Sequence, residues 1–257
     1  MVVYVIVAII AYLIGSINFS VLISKKMAGF DVREKGSGNA GTTNVLRTVG
    51  KRAAALTLLL DILKGIVAIL VAVFFGWVVR SSNSAVLVEI AAICVVIGHT
   101  FPIFFGFKGG KGVATSLGIL LFINWKIGII CIVFGVFLIA ITRMVSLGSI
   151  SGAVLFAVLT IFIRDGYIVE YNYSFIIFGL LLAAIVIINH RANLKRIIDG
   201  NENRISFKKK PVEEEKKEEK KPKEEEVKVS EPEEIKIEVK PEASETEKTE
   251  DTEEKKD

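Results

Sequence analysis

Residues 53–79 form the run AAALTLLLDILKGIVAILVAVFFGWVV, and this run decides the fold class. It contains only two charged side chains, Asp61 and Lys64. A helix of about 20 apolar residues is long enough to cross the roughly 30 Å hydrocarbon core of a membrane. The run therefore predicts a membrane-spanning helix, and with the similar runs elsewhere in the chain it excludes a soluble enzyme.

Five further apolar runs lie within the first 206 residues. They cover residues 2–24, 85–107, 113–142, 144–163 and 173–189. The run 113–142 is interrupted by Asn124, Trp125 and Lys126, so it fits one long helix or two helices that meet at the membrane interface. The first run has no preceding positive region and no small-residue cleavage site, which predicts a retained span rather than a signal peptide. We therefore predict an all-α, polytopic membrane bundle.

The distribution of basic residues favours seven spans over six. Seven spans place 14 basic residues on one side and only Arg80, Lys126 and Arg164 on the other, whereas six spans divide them 10 against 6. Lys and Arg accumulate in cytoplasmic loops. The predicted bundle therefore has about seven transmembrane helices, with the N-terminus outside and the C-terminus in the cytoplasm.

The composition changes abruptly at about residue 207. Residues 1–206 hold 18 basic and 8 acidic side chains, whereas residues 207–257 hold 14 lysines, 20 acidic residues and four of the five prolines. Such a segment buries too little apolar surface to offset its chain entropy. We predict a transmembrane domain at 1–206 and a disordered, Lys/Glu-rich cytoplasmic tail at 207–257.

A glycine-rich polar segment follows the first predicted span. Its candidate phosphate-binding residues are Gly36, Ser37, Gly38, Asn39, Gly41, Thr42, Thr43, Asn44 and Arg47. Closely spaced glycines allow backbone N–H groups to converge on an anion, and a guanidinium is suited to phosphate. The alternative is a flexible polar loop without a ligand.

A second segment contains GHTFP at 98–102 and FKGGKGVAT at 107–115. Pro102 is the only proline before the tail, and it predicts the end of the third span. The candidate phosphate ligands that follow are Lys108, Gly109, Gly110, Lys111, Gly112 and Thr115. They lie at the predicted N-terminus of a helix, where the helix dipole favours an anion. The alternative is that the lysines only mark the cytoplasmic side.

The third segment is NHRANLKR at 189–196. His190, Asn193 and Arg196 recur every three residues, so in a helix they share one face. A histidine there is suited to proton transfer near neutral pH, and Arg191 adds positive charge. The alternative is a basic anchor for anionic lipid.

Together the three segments resemble the bacterial membrane family of glycerol-3-phosphate acyltransferases that use acyl phosphate as donor. The family's motifs are similar to GSGN-x-G-x-TN-x-x-R, to GH-x-x-P followed by FKGGKGVAT, and to H-R-x-N-x-x-R with a later G-x-E. They match residues 36–47, 98–115 and 190–202, so the resemblance covers nearly all of residues 1–206. One departure is GSINFS at 15–20, where the family often has a Gly-Ser-Ile-Pro-Phe-Gly-like stretch, which puts a kink in doubt.

The resemblance implies acyl transfer from a fatty acyl phosphate to the 1-hydroxyl of sn-glycerol 3-phosphate. The products would be lysophosphatidic acid and phosphate, in phospholipid biosynthesis. It also implies an active site facing the cytoplasm of a bacterial cell membrane, contact with membrane lipid, and a soluble enzyme that supplies acyl phosphate. No cofactor, no metal and no nucleic acid are predicted.

Chemistry suggests a role for each group. Arg47 and the Ser37 loop would hold one phosphate, while Lys108 and Lys111 would hold the other and neutralise the phosphate that leaves. His190 and Asn193 would orient the acceptor. These residues are predicted to act together although they are far apart in the chain.

Two questions stay open at this level. The proton acceptor is His190 or an oxygen of the donor's own phosphate, which we favour because no carboxylate adjoins His190 in the sequence. Asp61 and Lys64, one turn apart, brace each other or line a polar route. The second possibility belongs to the alternative function, a membrane transporter of phosphorylated small molecules.

Overall fold

The part of the chain that the structure describes contains ten α-helices, and eight of them lie in the apolar runs. The structure, a computed structural model, describes residues 1–81, 83–163 and 173–205. The helices are Val2–Gly15 (α1), Phe19–Ala28 (α2), Thr42–Thr48 (α3), Lys51–Val78 (α4), Ser84–Thr100 (α5), Val113–Ile123 (α6), Trp125–Thr142 (α7), Val145–Phe162 (α8), Tyr173–Asn189 (α9) and Arg191–Ile198 (α10). No β-strand occurs in these three ranges, as the all-α prediction requires. The tail predicted at 207–257 lies outside the described residues.

Among the described residues, five stretches are long and apolar enough to span a membrane. They are Val2–Ala28, Lys51–Val78, Ser84–Phe105, Trp125–Thr142 and Val145–Phe162. Helices α9 and α10, bent by 62°, form a sixth if they are taken as one span. Helix α6 has 11 residues and is about 16 Å long, so it is too short to cross the core alone. The bundle spans the membrane, while the count of seven and the orientation stay predictions.

The interruption in the run 113–142 separates two helices. Helix α6 ends at Ile123 and α7 begins at Trp125, with Asn124 in an extended conformation between them. The Asn124 side chain accepts a hydrogen bond from the amide of Ile127 at 3.2 Å, which caps α7. The two-helix alternative is therefore confirmed.

A break also divides the first apolar run, although the chain has no proline there. Helix α1 ends at Gly15 and α2 begins at Phe19. Asn18 Oδ1 accepts hydrogen bonds from the amide of Val21 at 3.3 Å and from the hydroxyl of Ser20 at 2.6 Å. An Asn N-cap of this kind satisfies a backbone amide in the first turn of α2 and so stabilises the start of a new helix. The missing proline therefore leaves the break in place.

The helices pack closely because small residues lie where they cross. Helix α1 packs along α5, α4 contacts α5 and α6, and α8 lies between α7 and α9. A Cβ atom on Gly15 would overlap the carbonyl of Val95, and one on Gly98 would overlap the carbonyl of Tyr12. Glycine on both sides of the α1–α5 contact thus allows the backbones to touch, as is common between helices in lipid.

The antiparallel arrangement of successive helices brings the three polar segments to one end of the bundle. Asn189, at the end of α9, donates a hydrogen bond to the Thr100 hydroxyl at 3.1 Å and lies 3.5 Å from the Lys111 carbonyl. Ser146, at the start of α8, donates to Glu202 at 2.9 Å. Residues far apart in sequence are therefore neighbours at this end.

The two charged residues of α4 are paired inside the bundle. Lys64 Nζ lies 2.8 Å from Asp61 Oδ1 and donates to the Ile17 carbonyl at 2.9 Å, within the break between α1 and α2. His99 Nδ1 is 3.5 Å from the same Asp61 oxygen. Both charged side chains are almost fully buried. The geometry favours a structural brace over a polar route.

We expect Lys64→Met to lower the free energy of unfolding by about 3–5 kcal/mol, because it leaves Asp61 buried without its ammonium partner. The double variant Asp61→Leu/Lys64→Met should lose less, because an apolar pair replaces a buried ion pair at little net cost. Denaturant unfolding in mild detergent measures both. Lys51→Met, at the exposed start of the same helix, is the control, and a double variant less stable than Lys64→Met would contradict the brace.

Candidate active site

The glycine-rich loop lies between a 3₁₀ turn at Val32–Glu34 and the start of α3. Gly36 and Gly38 have φ angles of +63° and +71°, a region that glycine adopts without strain. Gly41 precedes α3, whose first turn contains Thr42 and Thr43. Positive φ at alternate positions folds the backbone into a tight loop.

Asn44 is the internal support of this loop. Its Oδ1 accepts from the Ser37 amide at 2.9 Å, and its Nδ2 donates to the carbonyls of Val32 at 2.8 Å and Lys35 at 3.0 Å. Asn44 is buried, whereas Ser37 and Arg47 are exposed. The structure therefore places Asn44 as the residue that shapes the loop, with Ser37 and Arg47 on its accessible side.

Arg33 ties this region to the second polar segment. Its Nη1 donates to the carbonyls of Phe105 at 2.7 Å and Lys108 at 3.2 Å. Its Nε and Nη2 bind the two oxygens of Asp31 at 3.0 and 2.8 Å, and these hydrogen bonds lower the pKa of Asp31 to about 2. The sequence shows no signal for this role, because Arg33 matches none of the three motifs.

The glycines of the second segment are required by close contacts. The amides of Gly109 and Gly110 donate to the carbonyls of Thr100 at 3.0 Å and His99 at 3.1 Å, at the end of α5. A Cβ atom on Gly110 would lie 2.7 Å from the carbonyl of Ala40, in the first loop. The amides of Gly109 and Gly110 thus hold the second segment against the end of α5. The second segment is also in direct contact with the glycine-rich loop.

The start of α6 offers further donors beside Lys111. Gly112 has φ +85° and precedes the first helical residue, Val113. Amides in the first turn of a helix have no partner within that helix. Thr115 is fully buried, and its hydroxyl has no hydrogen-bond partner among the residues that the structure describes.

Lys111 is joined to α10 by a chain of side chains that ends at one carboxylate. Lys111 Nζ donates to Asn193 Oδ1, and Asn193 Nδ2 donates to Glu202 Oε1 at 2.6 Å. Arg196 Nε donates to Glu202 Oε2 at 2.9 Å, and the Ser146 hydroxyl also donates to Glu202. Asn193 and Arg196 share a face of α10, as their spacing predicts. Glu202 closes the third motif, but its central role, like that of Ser146, is visible only in the fold.

The cluster keeps a net positive charge. Burial lowers the pKa of Lys111 to about 8; Glu202 opposes this shift, and Arg196 and Arg47 add to it. Arg47 is exposed overall, but partial burial of its side chain lowers its pKa, with the charge of Glu202 opposing this shift and that of Arg196 adding to it. One carboxylate therefore faces three cations, an arrangement suited to a phosphate dianion.

His190, between α9 and α10, is held as a neutral imidazole. Its Nδ1 lies 2.8 Å from the Val186 carbonyl, which only accepts, so Nδ1 carries the proton and Nε2 is left as an acceptor. Burial, followed by the nearby charge of Lys111, lowers the pKa of His190 to about 4. A base of that pKa is weak at neutral pH.

The remaining predicted residues belong to the same three segments but are not part of the hydrogen-bonded network of Lys111, Asn193, Arg196, Ser146 and Glu202. Lys108 and Arg191 are exposed, and Asn39, Thr42 and Thr43 are partly buried in the first loop and the start of α3. Within the described residues, no group of three or more His, Cys, Asp or Glu side chains is placed to hold a metal ion.

An apolar groove of about 180 Å³ lies between α6, α7, α8 and α9. Val113 and Val186 line the end nearest the polar cluster, because they are close in sequence to Lys111 and His190. Phe156 lines the other end. The site thus combines a cationic cluster with an adjacent apolar groove.

Comparison with known proteins agrees with this geometry. A family model described as glycerol-3-phosphate acyltransferase matches residues 5–200. The glycerol-3-phosphate acyltransferase of Clostridioides difficile (strain 630) is 46% identical over 206 residues, which cover 80% of this chain and 97% of the relative. Glycerol-3-phosphate acyltransferase 2 of Thermotoga maritima is 38% identical over 202 residues, covering 79% of this chain and 96% of that relative.

Two crystal structures of PlsY (YgiH), an integral membrane glycerol 3-phosphate acyltransferase, have a similar fold. The glycerol 3-phosphate form is 34% identical, with a TM-score of 0.69, and the match covers 79% of this chain and 96% of that chain. The lysophosphatidic acid form is 32% identical, with a TM-score of 0.67, covering 79% and 95%.

We expect the affinity for inorganic phosphate to fall by up to roughly tenfold per pH unit above about pH 8, as Lys111 loses its proton. Below that pH the ammonium is present and binding is strongest. Calorimetric titration of the protein in detergent with inorganic phosphate, from about pH 7 to about pH 10, measures this. Lys111→Arg keeps its charge over this range, so the same decline in that variant would contradict the assignment.

Glu202→Gln tests the same titration from the opposite side. The carboxylate raises the pKa of Lys111, so its removal should move the midpoint of the decline to lower pH. Asp199→Asn makes the same change of charge at an exposed carboxylate at the end of α10 and should leave the midpoint in place. Equal shifts in both variants would indicate a general charge effect.

Proposed function

The chain belongs to the glycerol-3-phosphate acyltransferase family and is an integral membrane acyltransferase, as the three motifs predict, and from this premise we propose the details of its reaction. The acyl donor is a fatty acyl phosphate, and the acceptor is the 1-hydroxyl of sn-glycerol 3-phosphate. The products are lysophosphatidic acid and inorganic phosphate. The observation that carries this proposal is the cationic cluster of Lys111, Arg196 and Arg47, placed beside an apolar groove.

The cationic cluster supports a reaction between two phosphorylated substrates. Each phosphate is doubly charged near neutral pH, so two of them close together require several cations and few carboxylates. Arg47 and the Ser37 loop hold one phosphate. Lys111 and the first turn of α6 hold the other, with Lys108 at the exposed side of the same loop.

Positioning and charge stabilisation supply most of the catalysis. The acceptor hydroxyl oxygen attacks the acyl carbonyl carbon, the bond from that carbon to the phosphate oxygen breaks, and the hydroxyl proton passes to a phosphate oxygen. Acyl phosphate is already activated, so orientation by His190 and Asn193 and neutralisation by Lys111 suffice. The low pKa of His190 supports a phosphate oxygen as the proton acceptor.

The apolar groove binds the acyl chain of the donor. It begins beside Lys111 and is lined largely by aliphatic side chains, glycines and one phenylalanine. Ser116 lines it as well, and its buried hydroxyl has no partner among the described residues.

The cytoplasmic side of a bacterial cell membrane is the proposed location of the active site. The seven-span prediction places 14 of the 18 basic residues of the body on the side that carries the three motifs, which is the distribution typical of the cytoplasmic side. A soluble enzyme that makes acyl phosphate would then supply the donor from the same side. The transporter alternative loses its main support, because Asp61 and Lys64 pair with each other.

Purified protein in detergent or vesicles should form lysophosphatidic acid from palmitoyl phosphate and glycerol 3-phosphate, with release of one phosphate for each product. Palmitoyl-coenzyme A in place of the acyl phosphate should give none, because its acyl group is bonded to sulfur and no phosphate adjoins the acyl carbonyl where the cationic cluster would bind it. Mass spectrometry of the lipid product and a phosphate assay measure both. Flux of glycerol 3-phosphate into sealed vesicles, without any lipid product, would contradict the proposal.

His190→Asn should keep turnover within about tenfold of the parent, because general-base catalysis alone contributes about 10²–10⁴-fold and is assigned here to the donor phosphate. The pH dependence of kcat for this variant should retain the shape of the parent profile. Steady-state rates over the accessible pH range check both. A loss of several hundredfold together with loss of the acidic limb would identify His190 as the base.

A further inference from the structure

The depth of the apolar groove can be read along α8, because three lining residues lie there at successive helical turns. Gly148 lies level with the polar end of the groove, Gly152 one turn deeper and Phe156 at the far end. Eight residues of helix correspond to about 12 Å. One leaflet of the hydrocarbon core is roughly 15 Å thick, so the groove is nearly as long as one leaflet is thick.

The glycines that line this groove differ in what they contact. A Cβ atom on Gly148 would lie 2.6 Å from the Gly135 carbonyl, and one on Gly135 would lie 3.2 Å from the Gly148 carbonyl. This pair is therefore required for the close packing of α7 on α8. A Cβ atom on Gly152 would meet only the Cys131 carbonyl, at 3.7 Å, which is an ordinary contact.

Neither packing nor backbone conformation explains a glycine at position 152. The residue lies inside α8 and is not among the glycines with positive φ. A glycine inside a helix is less favourable than alanine by roughly 0.5–1 kcal/mol. The one consequence of its missing side chain is space in the middle of the groove, between the levels of Gly148 and Phe156.

We propose that Gly152 and Phe156 set the length of the acyl chain that this enzyme accepts. Gly152 leaves the middle of the groove open, so that the chain passes it, and Phe156 closes the far end. Phe156 is buried and packs edge-to-face against Phe178 of α9, with ring centroids 6.1 Å apart, so a second aromatic ring supports the end wall. The inference rests on the proposed function, because it takes the acyl chain as the occupant.

The occupant follows from the position of the groove. It begins beside the cationic cluster that holds phosphate, since Val113 is two residues from Lys111 and the Val186 carbonyl binds His190. A ligand that fits both parts has an anionic head and an unbranched apolar tail. A side chain at position 152 would occupy the path of that tail about one helical turn below its polar end.

The test measures kcat/KM for octanoyl, lauroyl, palmitoyl and stearoyl phosphate. Gly152→Leu should lower the palmitoyl to lauroyl ratio at least about tenfold, since one or two methylene groups in an apolar pocket give discrimination of that size. Gly152→Ala should shift the ratio in the same direction by less. Phe156→Leu shortens the end wall, so it should raise the stearoyl to palmitoyl ratio.

Val154→Phe is the matched control, because Val154 lies on the same helix and is 46% exposed on the outer surface of the bundle. It should leave the chain-length profile unchanged. Thermal unfolding shows whether each variant is folded; if Gly152→Leu is not, the opposite shifts of Gly152→Ala and Phe156→Leu decide. Folded, active variants with the parent's profile would overturn the proposal, whereas no product from the parent with any acyl phosphate would overturn the proposed function instead.

Discussion

One carboxylate, Glu202, organises the cationic end of this membrane bundle. It accepts hydrogen bonds from Ser146 of α8 and from Asn193 and Arg196 of α10, and through Asn193 it reaches Lys111 at the start of α6. Charges at a low-dielectric boundary are stable only when they are paired or hydrogen-bonded. A single carboxylate fixes the positions of the surrounding cations without neutralising them, and the positive charge that remains is available to phosphate.

The membrane imposes the same requirement on the scaffold. Each helix break leaves backbone groups without partners, and hydrocarbon offers no water to replace them. At the break between α1 and α2, Lys64 binds the Ile17 carbonyl while Asp61 balances its charge. Asp61 also approaches His99, which contacts the glycine–lysine loop through the backbone and at Gly110. The Asp61–Lys64 pair inside the bundle is thus linked through His99 to the glycine–lysine loop of the active site.

Local features of the fold were predictable because they depend on neighbours in the chain. The end of α5 before Pro102, the break at Asn124 and the shared face of α10 all follow from residue types and spacing. Three features were not predictable: the hydrogen bonds by which Asn44 supports the glycine-rich loop, those from the Gly109 and Gly110 amides to α5, and those from Arg33 to the second segment. Each depends on a hydrogen-bond acceptor that lies on another element, or on a loop conformation that the glycines permit but do not specify.

By itself, the sequence determined that the chain is a helical membrane protein with three segments whose residues are typical of phosphate binding. It also identified the family. These properties reside in composition and in short motifs, which local physics and pattern are enough to interpret. Only the tertiary structure decided which cations share one carboxylate, which nitrogen of His190 is free, and that an apolar groove begins beside Lys111. The reason is physical, since burial, electrostatic coupling and cavity shape arise from side chains brought together by helices far apart in sequence.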